Sequence, residues 1–276
     1  MKFFIYKRYF MKDFFPKRIV CMTEETTEML YLLGEQRRIV GISGFTVRPP
    51  IARKEKPKVS QFISANIDEI VALQPDLVLG FSDLQADIAA TLIRKGINVH
   101  IFNQRSINEI LEMIVQLGAM VGQQQKAIRW VEEFQQKREV LALEVTKMKV
   151  RPKVYFEEWY DPIMTGIQWV AELVELAGGD YCFPENAKES LAKNRILADP
   201  GVVVEKQPDI ILVSWCGKKF KPRRMLDRPG WNKIPAVKND QVFELPAEDI
   251  LQPGPAALTD GLQAIRTIIT DWSTNH

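Results

Sequence analysis

Residues 123–149, QQQKAIRWVEEFQQKREVLALEVTKMK, contain neither glycine nor proline. They are rich in Gln, Glu, Lys, Arg, Ala and Leu, which lose little side-chain freedom in a helix. Ala127, Val131, Phe134, Leu141, Val145 and Met148 fall at three-four spacing on one face, interrupted only by Arg138. At ~1.5 Å per residue such a helix reaches on the order of 40 Å, more than one small domain needs. A core-flanking helix or a coiled-coil arm would satisfy the stripe. A rigid strut joining two lobes also accounts for what lies on either side.

The same grammar stands on both sides of that stretch. Before it, apolar runs at Arg18–Met22, Arg38–Ser43, Asp76–Gly80 and Asn98–Phe102 read as buried strands. Helical patterns alternate with them: Thr23 to Gly34, Asn66–Leu73, Leu84–Lys95, and from Ser106 to Gly118. FTVRPPIARKEKPKVS, after the second strand, reads as a loop because of its three prolines and its charges. After the long stretch come strands at Lys153–Glu157, Asp209–Trp215 and Gln241–Leu245. Helices are expected at Gln168–Ala177, Pro200–Lys206 and Ala256–Trp272. Strands alternating with helices mean a parallel sheet covered on both faces. An internal repeat supports two lobes: EIVALQPDLVL (69–79) and VVVEKQPDIIL (202–212) align without a gap. In each, proline ends a short helix and an aliphatic run enters the sheet. The expected division is a tail at 1–17, a lobe at 18–122, the connecting helix at 123–149 and a second lobe at 150–276.

The chain of 276 residues is 46% hydrophobic and 26% charged, an ordinary globular balance. A formal net charge of +2 provides no field to draw in nucleic acid, so no nucleic-acid partner is expected, and the protein is read as a monomer. Cys21, Cys182 and Cys216 are odd in number, widely spaced and form no CxxC, which fits a reducing compartment. In MKFFIYKRYFMKDFFPKR, Lys7, Arg8, Lys12 and Asp13 break every apolar run, and no secretory pattern emerges. The expected location is therefore the cytoplasm, or the periplasm if the assigned start is wrong.

Ligands of open α/β sheets bind beyond the carboxyl ends of the strands. In the first half those ends offer Thr23, Glu24 and Glu25; Ser43, Phe45 and Thr46; Phe81, Ser82 and Asp83; with Phe62 on the loop facing the same side. In the second they offer Glu158, Trp159 and Tyr160; Trp215 and Cys216; Glu248 and Asp249. Aromatic, uncharged polar and a few acidic side chains suit a flat organic ligand held by stacking and hydrogen bonds. Read without a ligand, Thr23 is a helix N-cap, and Glu24, Glu25, Glu157 and Glu158 mark helix starts and solvated turns. There is no GxSxG and no phosphate-binding GxxxxGK[ST], and His100 and His276 are the only histidines, so no His-based triad or metal site is expected. An enzyme would have to use Glu158, Cys216 or Glu248. GKKFKPRRM, 217–225, is the strongest basic run, either a solvated loop or an anion contact.

The ordered set RIVCMTEETTEMLYLLGEQRRIVGIS, PKVSQFISANIDEIVALQPDLVLGFSD, VAELVELAGGD, QPDIILVSW and LPAEDILQPGPAALTDGLQAI resembles the helical-backbone (class III) periplasmic binding proteins, in their cobalamin- and siderophore-binding branch. The resemblance covers nearly the whole chain from Arg18. It implies two Rossmann-like lobes with parallel sheets joined by a long backbone helix, and a non-catalytic binding protein for a corrinoid such as cobalamin, with no cofactor beyond that ligand. A siderophore, haem or a modified nucleoside are the alternatives. It implies ring-packing roles for Phe62 and Phe81, looser ones for Phe183 and Trp215, and a side-group contact for Glu248. Family members dock acids onto an ABC permease. Asp87 stands ready for that on the first lobe, but the basic loop Lys218–Arg224 occupies the matching region of the second, so the docking acids are incomplete. Gln252 stands where the branch tends to have arginine, and EEWYDPIMTGIQWV is an addition to the pattern.

Overall fold

The computed structural model describes residues 14–275; the rest of the expected tail, residues 1–13, and His276 lie outside them. Two compact units are present. The first comprises the described residues up to Gln104 with Asn108–Glu133, the second Arg105–Ile107 with Phe134 onward.

In the first unit β1 (Ile19–Cys21), β2 (Ile39–Ser43), β3 (Lys58–Ser60), β4 (Leu77–Phe81) and β5 (Val99–Phe102) form one sheet in the order β3-β2-β1-β4-β5. Every neighbouring pair is parallel. The crossovers are α1 (Glu24–Leu33), α2 (Pro50–Glu55), α3 (Ile67–Ala72) and α4 (Ala86–Arg94), followed by α5 (Ile107–Met120). Val20, Met22, Val59, Ile70, Val78 and Leu92 make one apolar cluster of strand and helix side chains. Each is worth roughly 1.5–3 kcal/mol when fully buried. Gly34 closes α1 in the left-handed region, at φ 82°, as glycine permits.

The segment expected as a loop at 45–60 is instead α2 and β3. Its prolines do not prevent this: Pro50 occupies the first turn of α2, where no amide donor is missed. Arg53 Nη1 then donates to the carbonyls of Gly44 at 2.6 Å and Thr46 at 2.9 Å, folding the segment back on the end of β2.

The long helix, α6, runs Gln124–Val145, shorter than the expected 123–149. Its buried side chains Ala127, Phe134 and Leu141 lie on the stripe read from the sequence, with Val131, Arg138 and Val145 half-buried beside them. Beyond Val145 the chain leaves the helical path, and Met148 packs where a Cβ on Gly178 would stand.

The second unit is built on β6 (Lys153–Tyr160), β7 (Ile163–Thr165), β8 (Asp180–Tyr181), β9 (Ile210–Val213) and β10 (Val242–Glu244). The order is β10-β9-β6-β7, and β8 also pairs with β6. The sheet is not wholly parallel. EEWYDPIMTG makes a hairpin in which β7 runs antiparallel to the end of β6, while β8 is parallel to its start. Its helices are α7 (Gln168–Ala177), α8 (Pro184–Ala187), α9 (Gly201–Lys206), α10 (Pro222–Leu226), α11 (Pro235–Lys238), α12 (Ala247–Ile250) and α13 (Leu262–Thr274). On α13, Leu262, Ile265, Ile269 and Trp272 form the buried stripe of a period-3.6 helix.

The repeated Gln-Pro-Asp has the same conformation in both units. Gln74 and Gln207 sit at φ 48° and 49°, in the left-handed region, which ends α3 and α9 before their prolines. The aspartates then accept backbone hydrogen bonds at the start of a neighbouring strand. Asp76 takes the amides of Lys17 (2.7 Å) and Arg18 (2.9 Å), and Asp209 takes that of Lys153 (2.8 Å).

Candidate functional site

The carboxyl edge of the first sheet has an acidic floor and an apolar rim. Thr23 has the extended backbone of an N-cap, but its hydroxyl does not cap α1: it donates to Glu25 Oε1 at 2.6 Å. Glu24 and Glu25 are buried, 7% and 1% exposed, so the expectation of solvated helix-start acids fails. Burial pushes the Glu24 carboxyl up to about 7 and the Glu25 carboxyl up to about 8. Two carboxyl groups at the start of α1 fill the position where many α/β sheets hold phosphate, and once ionised, above about pH 8, they repel anions.

Gln85, which sequence reasoning passed over, ties the rim together. It is fully buried; its Nε2 donates to the Phe62 carbonyl at 2.9 Å and its Oε1 accepts from the Phe81 amide at 3.0 Å. Phe62 is half-buried, Phe81 only 4% exposed, and Phe45 49% exposed. Ser82, 1% exposed, sits at φ 60° and accepts from the Leu84 amide. Gln85→Ala removes the hydrogen bonds made to the Phe81 amide and the Phe62 carbonyl. It is expected to cost about 1–3 kcal/mol in urea unfolding, with faster amide exchange around Phe62.

The second sheet's edge is built on buried ion pairs. Glu157 is fully buried, not in a solvated turn. It accepts from Arg228 Nη1 (2.5 Å) and Nη2 (3.2 Å), Trp215 Nε1 (3.1 Å) and the Tyr155 hydroxyl (3.1 Å). Burial raises its carboxyl, and Arg228 draws it back. Arg228 also donates to the Tyr160 carbonyl at 2.9 Å and lies 4.5 Å from the centre of the Trp231 ring. Glu158 is held by the buried Arg195 through contacts of 3.1 and 3.0 Å. A carboxylate so engaged is poorly placed for acid–base work. Cys216 is exposed, and His100 belongs to the other unit, on β5. Among the described residues no group of three His, Cys, Asp or Glu side chains could hold a metal ion.

On this frame Trp159, Tyr160, Trp215 and Phe220 form a continuous aromatic array, with successive ring centres 5.0, 4.6 and 5.1 Å apart. Two hollows adjoin it. One of about 460 Å³ is lined by Ser214, Trp215, Lys218, Lys219 and Glu244–Glu248. The other, of about 260 Å³, is lined by Tyr160, Trp215 and four cations. Trp215, 3% exposed, anchors the array rather than offering a face. The half-buried Trp159 is the more accessible ring, and Glu248 is exposed on α12. Phe183 departs from its expected place: it packs edge-on against Tyr155 in the core, 5.7 Å between ring centres.

A family model described as "Periplasmic binding protein" matches residues 19–248. The chain belongs to that family. It is 26% identical over 270 residues to the uncharacterized ABC transporter substrate-binding lipoprotein YvrC of Bacillus subtilis, covering 91% of this chain and 79% of that one. It is 26% identical over 255 residues to the vitamin B12-binding protein of Vibrio parahaemolyticus, covering 88% and 86%. The crystal structure of periplasmic vitamin B12 binding protein BtuF of Vibrio cholerae shares the fold, with a TM-score of 0.74 at 22% identity, over 95% of this chain and 99% of that one. The cytoplasmic expectation has no support among these proteins: the Bacillus subtilis one is described as a lipoprotein and the Vibrio cholerae one as periplasmic.

Proposed function

We propose that this periplasmic binding protein is a non-catalytic receptor for a large, flat organic ligand, a corrinoid first, held at the carboxyl edge of the second sheet. The observation that carries the reading is the aromatic array beside two adjoining hollows. Cavities of several hundred Å³ with aromatic walls and a few polar groups suit such ligands. The B12-binding relative favours a corrinoid over a siderophore or modified nucleoside. The ABC transporter substrate-binding relative supports delivery to an ABC permease, with the exposed Asp87 of α4 as a docking acid. An enzyme reading loses Glu158 to its pair with Arg195.

Cobalamin titrated into the purified protein is expected to quench tryptophan fluorescence, and Trp159→Phe to remove a large part of that quench. Ligand at a hundredfold its Kd is expected to stabilise the fold by about 2.7 kcal/mol. Unchanged fluorescence and an unchanged melting temperature at tens of micromolar cobalamin, on the order of a weak receptor's Kd, would refute the corrinoid reading.

A further inference from the structure

The smaller hollow is lined by Tyr160, Trp215, Lys218, Lys219, Lys221 and Arg224, with no carboxylate among them. Lys218, Lys219, Lys221, Arg223 and Arg224 make no ion pair with any described residue. Like charges this close repel, and a counter-charge from outside relieves them. Two of the cations are already seated on aromatic faces. Lys218 Nζ lies 5.3 Å from the Trp159 ring centre and 5.9 Å from that of Tyr160, and the Arg224 guanidinium lies 4.6 Å from Tyr160. Seating long side chains on rings lowers the ordering cost of binding. In the adjoining hollow, the buried Ser214 Oγ has no hydrogen-bond partner among the described residues. Of the acids near the loop, Glu244, which accepts from the Phe220 amide at 2.9 Å, and Glu248 line the larger hollow and not the smaller, and Asp227, just past the end of α10, lines neither.

We propose that this aromatic-seated cluster of Lys218, Lys221 and Arg224 binds an anionic group of the ligand, a phosphate or a ring carboxylate, and so selects anionic flat ligands over neutral ones. The proposal rests on the reading that the second sheet's edge is the ligand site. It differs from a solvated basic loop in predicting a ligand-dependent effect of charge.

The test compares wild type with the triple variant Lys218→Gln, Lys221→Gln, Arg224→Gln. All three side chains are exposed, and a thermal melt checks folding. The probes are cobalamin, which carries a phosphodiester; cobinamide, the same ring without the nucleotide loop that contains it; and haem, with two carboxylates. The variant is expected to lose about tenfold in affinity for cobalamin and haem, and less than about twofold for cobinamide. In wild type, raising salt from about 20 to about 300 mM is expected to weaken the first two selectively. Equal affinities of wild type and variant for all three pigments would overturn the anion site and leave the receptor reading standing. If no pigment binds wild type, the receptor reading fails, and a thermal-shift titration with citrate decides the anion site separately. A shift in wild type larger than in the variant supports it, and equal shifts overturn it.

Discussion

Arg228→Ala is expected to destabilise the second unit by about 3–5 kcal/mol, because it leaves a buried carboxylate without its charged partner. Glu157 is fully buried, and Arg228 supplies two of its four side-chain hydrogen bonds. Without the guanidinium, the Trp215 indole and the Tyr155 hydroxyl remain, too little to hold a charge out of water. The carboxyl then takes up a proton. The deficit is therefore expected to be larger at alkaline than at acidic pH, since burial already raises this group. Glu157→Gln combined with Arg228→Met is expected to recover most of the loss, since a neutral amide needs no counter-charge and its oxygen still accepts from Trp215 or Tyr155. Urea unfolding followed by tryptophan fluorescence measures both. Loss of the Arg228 bond to the Tyr160 carbonyl also predicts weaker ligand binding in Arg228→Ala, even where it is folded. An Arg228→Ala protein within about 1 kcal/mol of wild type would show that the pair does not hold this edge.

The architecture is legible in the sequence where local physics and tertiary structure agree. The stripe on α6 marks its buried face, and the two Gln-Pro-Asp segments mark the helix-to-strand turn of each unit. Their aspartates are not legible as strand-end acceptors, because the amides they bind belong to residues 17, 18 and 153, far along the chain. Counting prolines misreads the 45–60 segment as a loop. Position decides: Pro50 lies in the first turn of α2. At the site, strand ends locate the edge, but not the roles of its acids. Glu157 reads as a solvated turn because a lone charge in a strand has no sequence signature of burial. Its partner lies 71 residues away in an aperiodic loop. Gln85 is invisible for a similar reason, since a buried glutamine bonding the backbone of Phe62 and Phe81 carries no pattern.

Glu25→Gln is expected to stabilise the first unit at alkaline pH and to change little near pH 4. Glu25 is 1% exposed on the first turn of α1, and burial pushes its carboxyl from an ordinary value of 4.5 up to about 8. The Thr23 hydroxyl bond at 2.6 Å and the start of the helix oppose that rise without cancelling it, and the nearby Glu24 and Glu28 add to it. A raised folded-state value means that the folded chain binds more protons than the unfolded chain between the two values. Stability from this group is therefore complete below about 4.5 and is lost as pH rises to about 8. At about 1.4 kcal/mol per unit the loss is on the order of 5 kcal/mol. The amide introduced by Glu25→Gln does not titrate, keeps an oxygen that Thr23 can donate to, and removes that loss. Glu24, raised to about 7, remains and leaves a shallower slope of the same sign. Urea unfolding at pH 5, 7 and 9 is expected to show a wild-type curve falling across the series and a variant curve falling less, the two separating most at pH 9. Parallel curves would mean that Glu25 meets water more freely than its burial indicates, and the acidic floor assigned to the first sheet's edge would lose its basis.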